Sequence, residues 1–313
     1  MMNELPRVSD AEAIESFHLA FLRVLQQRLP YEKYVLKGGA NMRYYLGSHR
    51  YSRDLDFDTD GDEPFRLEEG VDAAVGSDAL RVVLLAQGLR VVDVHKPKQT
   101  STTQRWKVLL SGGALGGGQV WTKVEFSRRE IDGRWVAERI KEFGSLRGFT
   151  APVAPHYLPA AAAEQKVRAL AGREATKARD VFDLHLLLST YPEEIDLGRL
   201  DAQVLMAAGE RVATMTWEDF REQVIPFLDD QVRELYTSRE SWEGMKDAVL
   251  TAVLSAHERV VGPPSTPAPV ASAGAPVARP RGSARTGAPG RRARSQRGLR
   301  DEPVVRGLAG LGG

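Results

Sequence analysis

The sequence predicts an α/β domain with a mixed sheet, followed by a helical domain. Up to about residue 130, segments that alternate polar and apolar residues are interleaved with segments of helical periodicity. From Leu158 onward apolar residues recur every three or four positions and strand signals vanish. With 313 residues, 42% hydrophobic and 27% charged, the chain has enough apolar content for a sizeable core and enough length for two domains.

A first helix is expected from about Asp10 to Gln27, where Ala11, Ile14, Phe17, Phe21 and Leu25 form one stripe and Asp10 serves as the cap. "YVLKGGANMRYYLG" reads as a short strand, a glycine turn at Gly38 and Gly39, and a helix that begins near Ala40. "RDLDFD" alternates, with Asp54, Asp56 and Asp58 on one face of a strand and Leu55 and Phe57 on its buried face. Residues 65–86 read as a helix in spite of Gly70 and Gly76. Strands follow near "LRVVDVHK", "QRWKVLLS" and "QVWTKVEFS", the last two joined by a hairpin through "SGGALGGGQ". In "TKVEF" the alternation puts Lys123 and Glu125 on one face, a third strand-borne carboxylate. Helices then run through "LPAAAAEQKVRALAGR", "ARDVFDLHLLLS", "MTWEDFREQVIPFL" and a last segment near 240–259. A boundary inside "APVAPHYLP" divides the chain into 1–154 and a helical domain at 155–262, with a tail at 263–313.

That tail holds nine arginines against Asp301 and Glu302, a surplus of seven positive charges, so residues 1–262 are six negative under an overall charge of +1. With eight prolines and no aromatic residue it cannot repay its ordering entropy and is expected to be disordered. The absence of cysteine excludes disulfides and thiolate metal sites, so any metal is held mainly by oxygen. The first thirty residues include Glu4, Asp10, Glu12 and Glu15 without a long apolar run, and no stretch reaches the ~20 apolar residues of a membrane helix. No membrane association and a cytoplasmic location are the expectation.

The chemistry centres on "LKGGANMRYYLGSHRYSRDLDFD". Glycines before a helix let a phosphate approach backbone N–H groups, and two aspartates two residues apart on a strand supply hard oxygen ligands for Mg²⁺. A rival is calcium, because Asp56, Asp58, Asp60 and Gly61 match the first half of an EF-hand loop. Its ninth position is then Pro64 and its twelfth Leu67 in place of the bidentate glutamate, which argues against it. Asp58, Asp60, Asp62 and Glu63 are read instead as a solvated loop leaving the strand.

"LKGGA", "RYSRDLDFD" and, about 110 residues later, "EQKVRALAGREATKARDVFDL" together resemble the AbiEii/AbiGii toxin family of nucleotidyltransferases, which includes MenA-type toxins, within the polymerase-beta-like superfamily. The resemblance covers roughly residues 30–190. One departure is Ala40, where the family usually carries Ser or Thr. The resemblance implies a polymerase-beta-like nucleotidyltransferase domain, an NTP substrate, two Mg²⁺ ions held by Asp54, Asp56 and Glu125, and catalytic roles for Lys166 and Asp183. It places Lys37, Gly38, Gly39, Ser52, Lys166, Arg179 and Asp180 at the nucleotide. It further implies a toxin that acts on tRNA 3′ ends and is neutralised by a separately encoded antitoxin. Spacing alone lets Lys166 and Arg173 share a helix face and lets Arg179 pair with Asp183. A transferase for a small molecule or protein, and a catalytically silent binding protein, remain open. Arg43, Arg50, Arg53, Arg105, Lys107, Arg128 and Arg129 are candidates for a local basic patch.

Overall fold

The computed structural model describes residues 7–60, 63–140, 150–173 and 177–262. The tail at 263–313 lies outside the described residues, as does Asp62. A seven-stranded mixed sheet organises the first part of the chain, in the order β3-β4-β5-β2-β1-β7-β6. Its strands are β1 (Tyr34–Lys37), β2 (Asp54–Thr59), β3 (Arg90–Gln99), β4 (Thr103–Ser111), β5 (Gln119–Arg128), β6 (Trp135–Arg139) and β7 (Val153–Tyr157). β2 lies at the centre, antiparallel to β1 and parallel to β5. The alternation read in "DLDFD" is realised there. Leu55 and Phe57 are fully buried, and Phe57 stacks on Phe126 of β5 at 4.7 Å and meets Tyr34 of β1 edge-on at 5.6 Å.

Helix α1 (Asp10–Leu25) packs on the sheet with α3 (Pro64–Val75) and α4 (Asp78–Ala86). Its cap is Ser9 rather than Asp10. The Ser9 hydroxyl accepts from the Glu12 amide while the Glu12 carboxylate accepts from the Ser9 amide, a reciprocal box that satisfies two orphan donors. The helix expected over 65–86 is two, because the chain leaves α3 at Gly76 and Ser77 caps α4 through the Leu80 amide. α2 (Gly38–Tyr44) follows β1 with no intervening turn residues.

β3 is an edge strand, and this is why it tolerates Pro97. The missing N–H coincides with a register shift between His95 and Lys98, where the ladder to β4 is interrupted. Two strands escaped the sequence reading. β6 and β7 pair antiparallel, β7 lies parallel to β1, and both are only five residues long. The boundary expected at 154/155 therefore falls inside β7, and the change from strands to helices comes at Pro159.

The helical part comprises α5 (Pro159–Gly172), α6 (Ala178–Thr190), α7 (Ala202–Ala213), α8 (Trp217–Gln223), the single turn α9 (Asp230–Arg233) and α10 (Arg239–Val261). Its core is built on Phe220, which stacks on Trp242 at 4.8 Å and lies beside Phe182. The segment entering β2 is tied to it by backbone. Tyr51 N–H donates to Phe227 C=O at 2.7 Å and Asp229 N–H to His49 C=O at 3.0 Å, flanking a bridge between Arg50 and Leu228. Arg43 of α2 strengthens the tie by donating to Glu15 of α1 and to Asp229.

Candidate active site

The parallel register of β2 and β5 sets Asp54 opposite Lys123 and Asp56 opposite Glu125. Since directly opposed residues share a face, all three carboxylates stand on the side away from Leu55 and Phe57. They converge on one ammonium. Lys123 Nζ lies 3.4 Å from Asp54 Oδ2, 3.2 Å from Asp56 Oδ1 and 3.6 Å from Glu125 Oε2. Burial opposes the charge on Lys123, but its three carboxylate neighbours win and raise its pKa. Burial also raises the pKa of Asp54, against the pull of Lys123, with Asp56 adding to the rise and the nearby Arg179 guanidinium opposing it. Glu125 is further engaged by Arg105, whose Nε lies 2.5 Å from Oε2.

Gly38 and Gly39 form the first turn of α2, where a separate turn and a helix starting near Ala40 were expected, and this glycine turn lies against the cluster. Gly38 has φ +67°, in the left-handed region, and a Cβ there would stand 3.4 Å from Asp56 Oδ2. At Gly39 a Cβ would fall 2.7 Å from Ser52 Oγ and 3.3 Å from an Arg50 guanidinium nitrogen, so these two side chains fill the space that only glycine leaves. Ser52 Oγ donates to the Asp54 carbonyl at 2.8 Å. Ala40 is fully buried, whereas the Ser52 hydroxyl borders the turn.

Asp58 requires a correction. It is not in a solvated loop but on β2, 5% exposed, where it accepts from Lys37 and, at 3.1 Å, from the Tyr157 hydroxyl. Asp60 and Glu63 are exposed, as expected.

A second, buried set of charges joins α5 and α6 to the segment before β2. Lys166 Nζ donates to Asp180 Oδ1 at 3.0 Å and to Asp183 Oδ2 at 2.6 Å. Arg50 grips Asp183 with two parallel bonds, Nε to Oδ1 at 3.3 Å and a terminal nitrogen to Oδ2 at 2.8 Å. Arg173 pairs with the other side of Asp180. Burial works against the Asp183 charge, yet Arg50 and Lys166 hold its carboxyl below the usual range. The i, i+4 pairing expected between Arg179 and Asp183 gives way to these two cations. Arg43 and Arg50, expected in a surface patch, are instead buried in ion pairs.

The structure thus brings Asp54, Asp56 and Glu125 together, puts Gly38, Gly39 and Ser52 beside them, and gathers Lys166, Asp180 and Asp183 into one network. Lys37 reaches Asp58 rather than the turn. Sequence reasoning set Lys123 on one face with Glu125 and Arg50 in a basic patch, but gave neither a place in the site. The shared face of Lys123 and Glu125 was a usable signal for the first; nothing local connects Arg50 with a residue 133 positions away.

Among the described residues no trio of carboxylates or imidazoles is disposed to hold a metal ion by itself. The donor chemistry nevertheless fits magnesium. Mg²⁺ is commonly bound by one or two carboxylates completed by substrate phosphates, and Asp54 and Asp56 present all-oxygen donors around a position already occupied by a cation. Glu125, shared between Lys123 and Arg105, is the less available of the three.

No helix among the described residues is long and apolar enough to cross a membrane. No curated protein matches the chain in sequence. Among solved structures, MenT4, a nucleotidyltransferase toxin from Mycobacterium tuberculosis H37Rv, is 21% identical with a TM-score of 0.57 over 80% of this chain and 87% of its own. A nucleotidyltransferase assigned as such without proof from H. pylori gives 20%, 0.53, 81% and 97%, and JHP933 from Helicobacter pylori 19%, 0.51, 82% and 95%. At such identities the likeness speaks for the fold. The family profile described as "Nucleotidyl transferase AbiEii toxin, Type IV TA system" matches residues 20–262, a span that holds both charge clusters and the glycine turn between them, and the chain belongs to this family of nucleotidyltransferase toxins.

Proposed function

We propose that the protein transfers a nucleoside monophosphate from an NTP to a hydroxyl at a tRNA 3′ end, releasing pyrophosphate, and that a separately encoded antitoxin neutralises it. The observation that carries this reading is the convergence of Asp54, Asp56 and Glu125 on one ammonium beside a glycine turn. Asp54 and Asp56, with Glu125 as the outlying third, would hold two Mg²⁺ ions. When bound, these would supply Lewis acidity, lowering the barrier for the attacking oxygen and neutralising charge on the triphosphate. Gly38 brings backbone close to Asp56 and the Ser52 hydroxyl borders Gly39, so the triphosphate would approach the carboxylates along this stretch, with Lys37 paired to Asp58 on the neighbouring strand. Lys166, buried between Asp180 and Asp183, would act on the triphosphate through the surplus positive charge of its network, and Arg179 would add to that charge. For phosphoryl chemistry of this kind the protein's contribution is positioning and electrostatics. A cytoplasmic site of action follows from the acceptor.

The test is incubation of the purified protein with each labelled NTP, a divalent cation and total RNA. Label entering tRNA with release of pyrophosphate, both lost in Asp54→Asn, is the expected result. Pyrophosphate release with label moving to protein or to a small molecule would replace the acceptor. No release with any NTP would leave a binding protein without catalysis.

A further inference from the structure

One face of β4 and β5 packs beneath α1 and α3 and carries Trp106, Val108, Val124 and Phe126, all fully buried, while β3 is exposed along most of its length. The register assigns the other face. One row of directly opposed residues runs Asp54, Lys123, Lys107, His95, and the next runs Asp56, Glu125, Arg105, Lys98. Both begin at the carboxylates of the active site; the first crosses Lys107 on β4 to the His95 imidazole on β3, and the second ends in Lys98 on β3. With neighbouring strands about 4.8 Å apart, each row extends roughly 14 Å from β2 to β3. Lys98 and Lys107 are exposed, and among the described residues neither holds an ion pair. The acidic residue beyond the active-site cluster, Asp93, is taken up by His95 at 2.8 Å. Beside these rows Trp121 is 41% exposed, and the His95 ring lies 5.5 Å from it, tilted by 30°.

We infer that this open face is where the single-stranded end of the acceptor polynucleotide lies, with Trp121 and His95 stacking on bases and Lys98 and Lys107 meeting phosphates. The inference rests on the proposed transfer reaction and adds the surface that would deliver its acceptor. Charge complementarity selects the occupant. A polyanion is attracted to the β3–β4 end of each row, whereas the carboxylates at the β2 end repel it unless cations stand there, so its terminus and not its length meets Asp54 and Asp56. An exposed indole beside the row that holds Lys107 suits a base, since every base offers a π-face to an aromatic ring.

The experiment measures fluorescence anisotropy of a 5′-labelled single-stranded RNA oligonucleotide with a free 3′ hydroxyl, without NTP, so that binding is read independently of transfer. Lys98→Glu combined with Lys107→Glu should weaken binding by about tenfold or more and flatten the salt dependence by roughly 1.4 in log–log slope, two single-strand phosphate contacts. Trp121→Ala should weaken it by about tenfold while Trp121→Phe retains most of the affinity. Arg211→Glu, an exposed charge on α7, serves as the control and should change nothing. Melting followed by circular dichroism checks that each variant is folded, and KM for NTP in pyrophosphate release should be unchanged. The proposal is overturned if the wild type binds no oligonucleotide, if the lysine and tryptophan variants bind as it does, or if Arg211→Glu weakens binding equally. RNA labelling that persists at the wild-type rate in those variants would remove this surface and leave the proposed reaction standing. Binding that follows the expected pattern without transfer to any RNA would do the reverse.

Discussion

Lys123 and Lys166 are both lysines held between aspartates, yet their surroundings make them different devices. Lys123 stands among three carboxylates whose side chains are 17–32% exposed, and with Arg105 the cluster keeps one uncompensated negative charge. Lys166 lies between Asp180 and Asp183, which are 3% and 0% exposed, and with Arg50 and Arg173 that cluster carries one surplus positive charge. An acidic, half-exposed cluster attracts another cation. A buried cluster whose carboxylate oxygens are all engaged holds elements in place, because an unpaired charge there would cost several kcal/mol. The sign of the surplus, together with access to water, separates a site that receives ligands from one that orients them.

The sharpest way to break this contrast is at Asp183. Asp183→Asn leaves Arg50 and Lys166 without their shared anion, so unfolding in urea should show a loss on the order of 3–5 kcal/mol. A loss below 1 kcal/mol would place the second cluster among ordinary surface charges.

At the first cluster the effect should appear in activity. Asp54→Asn and Asp56→Asn should each reduce nucleotidyl transfer by ~100-fold or more, the scale of removing a group that stabilises developing charge. Their unfolding free energy should stay within about 1 kcal/mol of wild type, since the face is open. Transfer at the wild-type rate in either variant would sink the assignment.

Acid should discriminate the two clusters further. Asp183 has a folded pKa below its ordinary 3.8, so its stabilising contribution is present above that value and is lost as pH falls toward the folded pKa. The stability difference between wild type and Asp183→Asn should therefore narrow below pH 3.8. Curves that stay parallel through that range would show that Arg50 and Lys166 do not favour the ionised form.

The smallest effect is expected at the rim of the buried network. Arg173 is 42% exposed, and Arg173→Gln should cost no more than about 1 kcal/mol in the same urea assay. A cost like that of Asp183→Asn would mean that the network is buried to its end.

Much of this site was legible in "RDLDFD" because alternation along a strand is a local property. Once Leu55 and Phe57 face the core, Asp54 and Asp56 must face away from it. The same rule extended too little for Asp58. Its place on the strand was readable, but the Lys37 and Tyr157 side chains that enclose it come from other strands of the sheet. β7 hid because "VAPHY" is short and contains proline, and because one of its two neighbours is the distant β1 while the other, β6, is as short as itself. In the helical part, "EQKVRALAGREATKARDVFDL" announced charged residues on two helices, and spacing alone suggested local partners.

The chain therefore carries, in its own order, most of its elements, the carboxylate face of β2, the glycines that open α2 and the family to which it belongs. Which cation meets which carboxylate depended on folding. Lys123 reaches Asp54 through the register of two parallel strands, and Arg50 reaches Asp183 because the segment before β2 is pinned to the backbone at 227–229. Periodicity acts over one or two turns of the chain. A charge pair buried between elements is selected by the whole arrangement, since each ion removed from water must find its counter-ion wherever packing has put it.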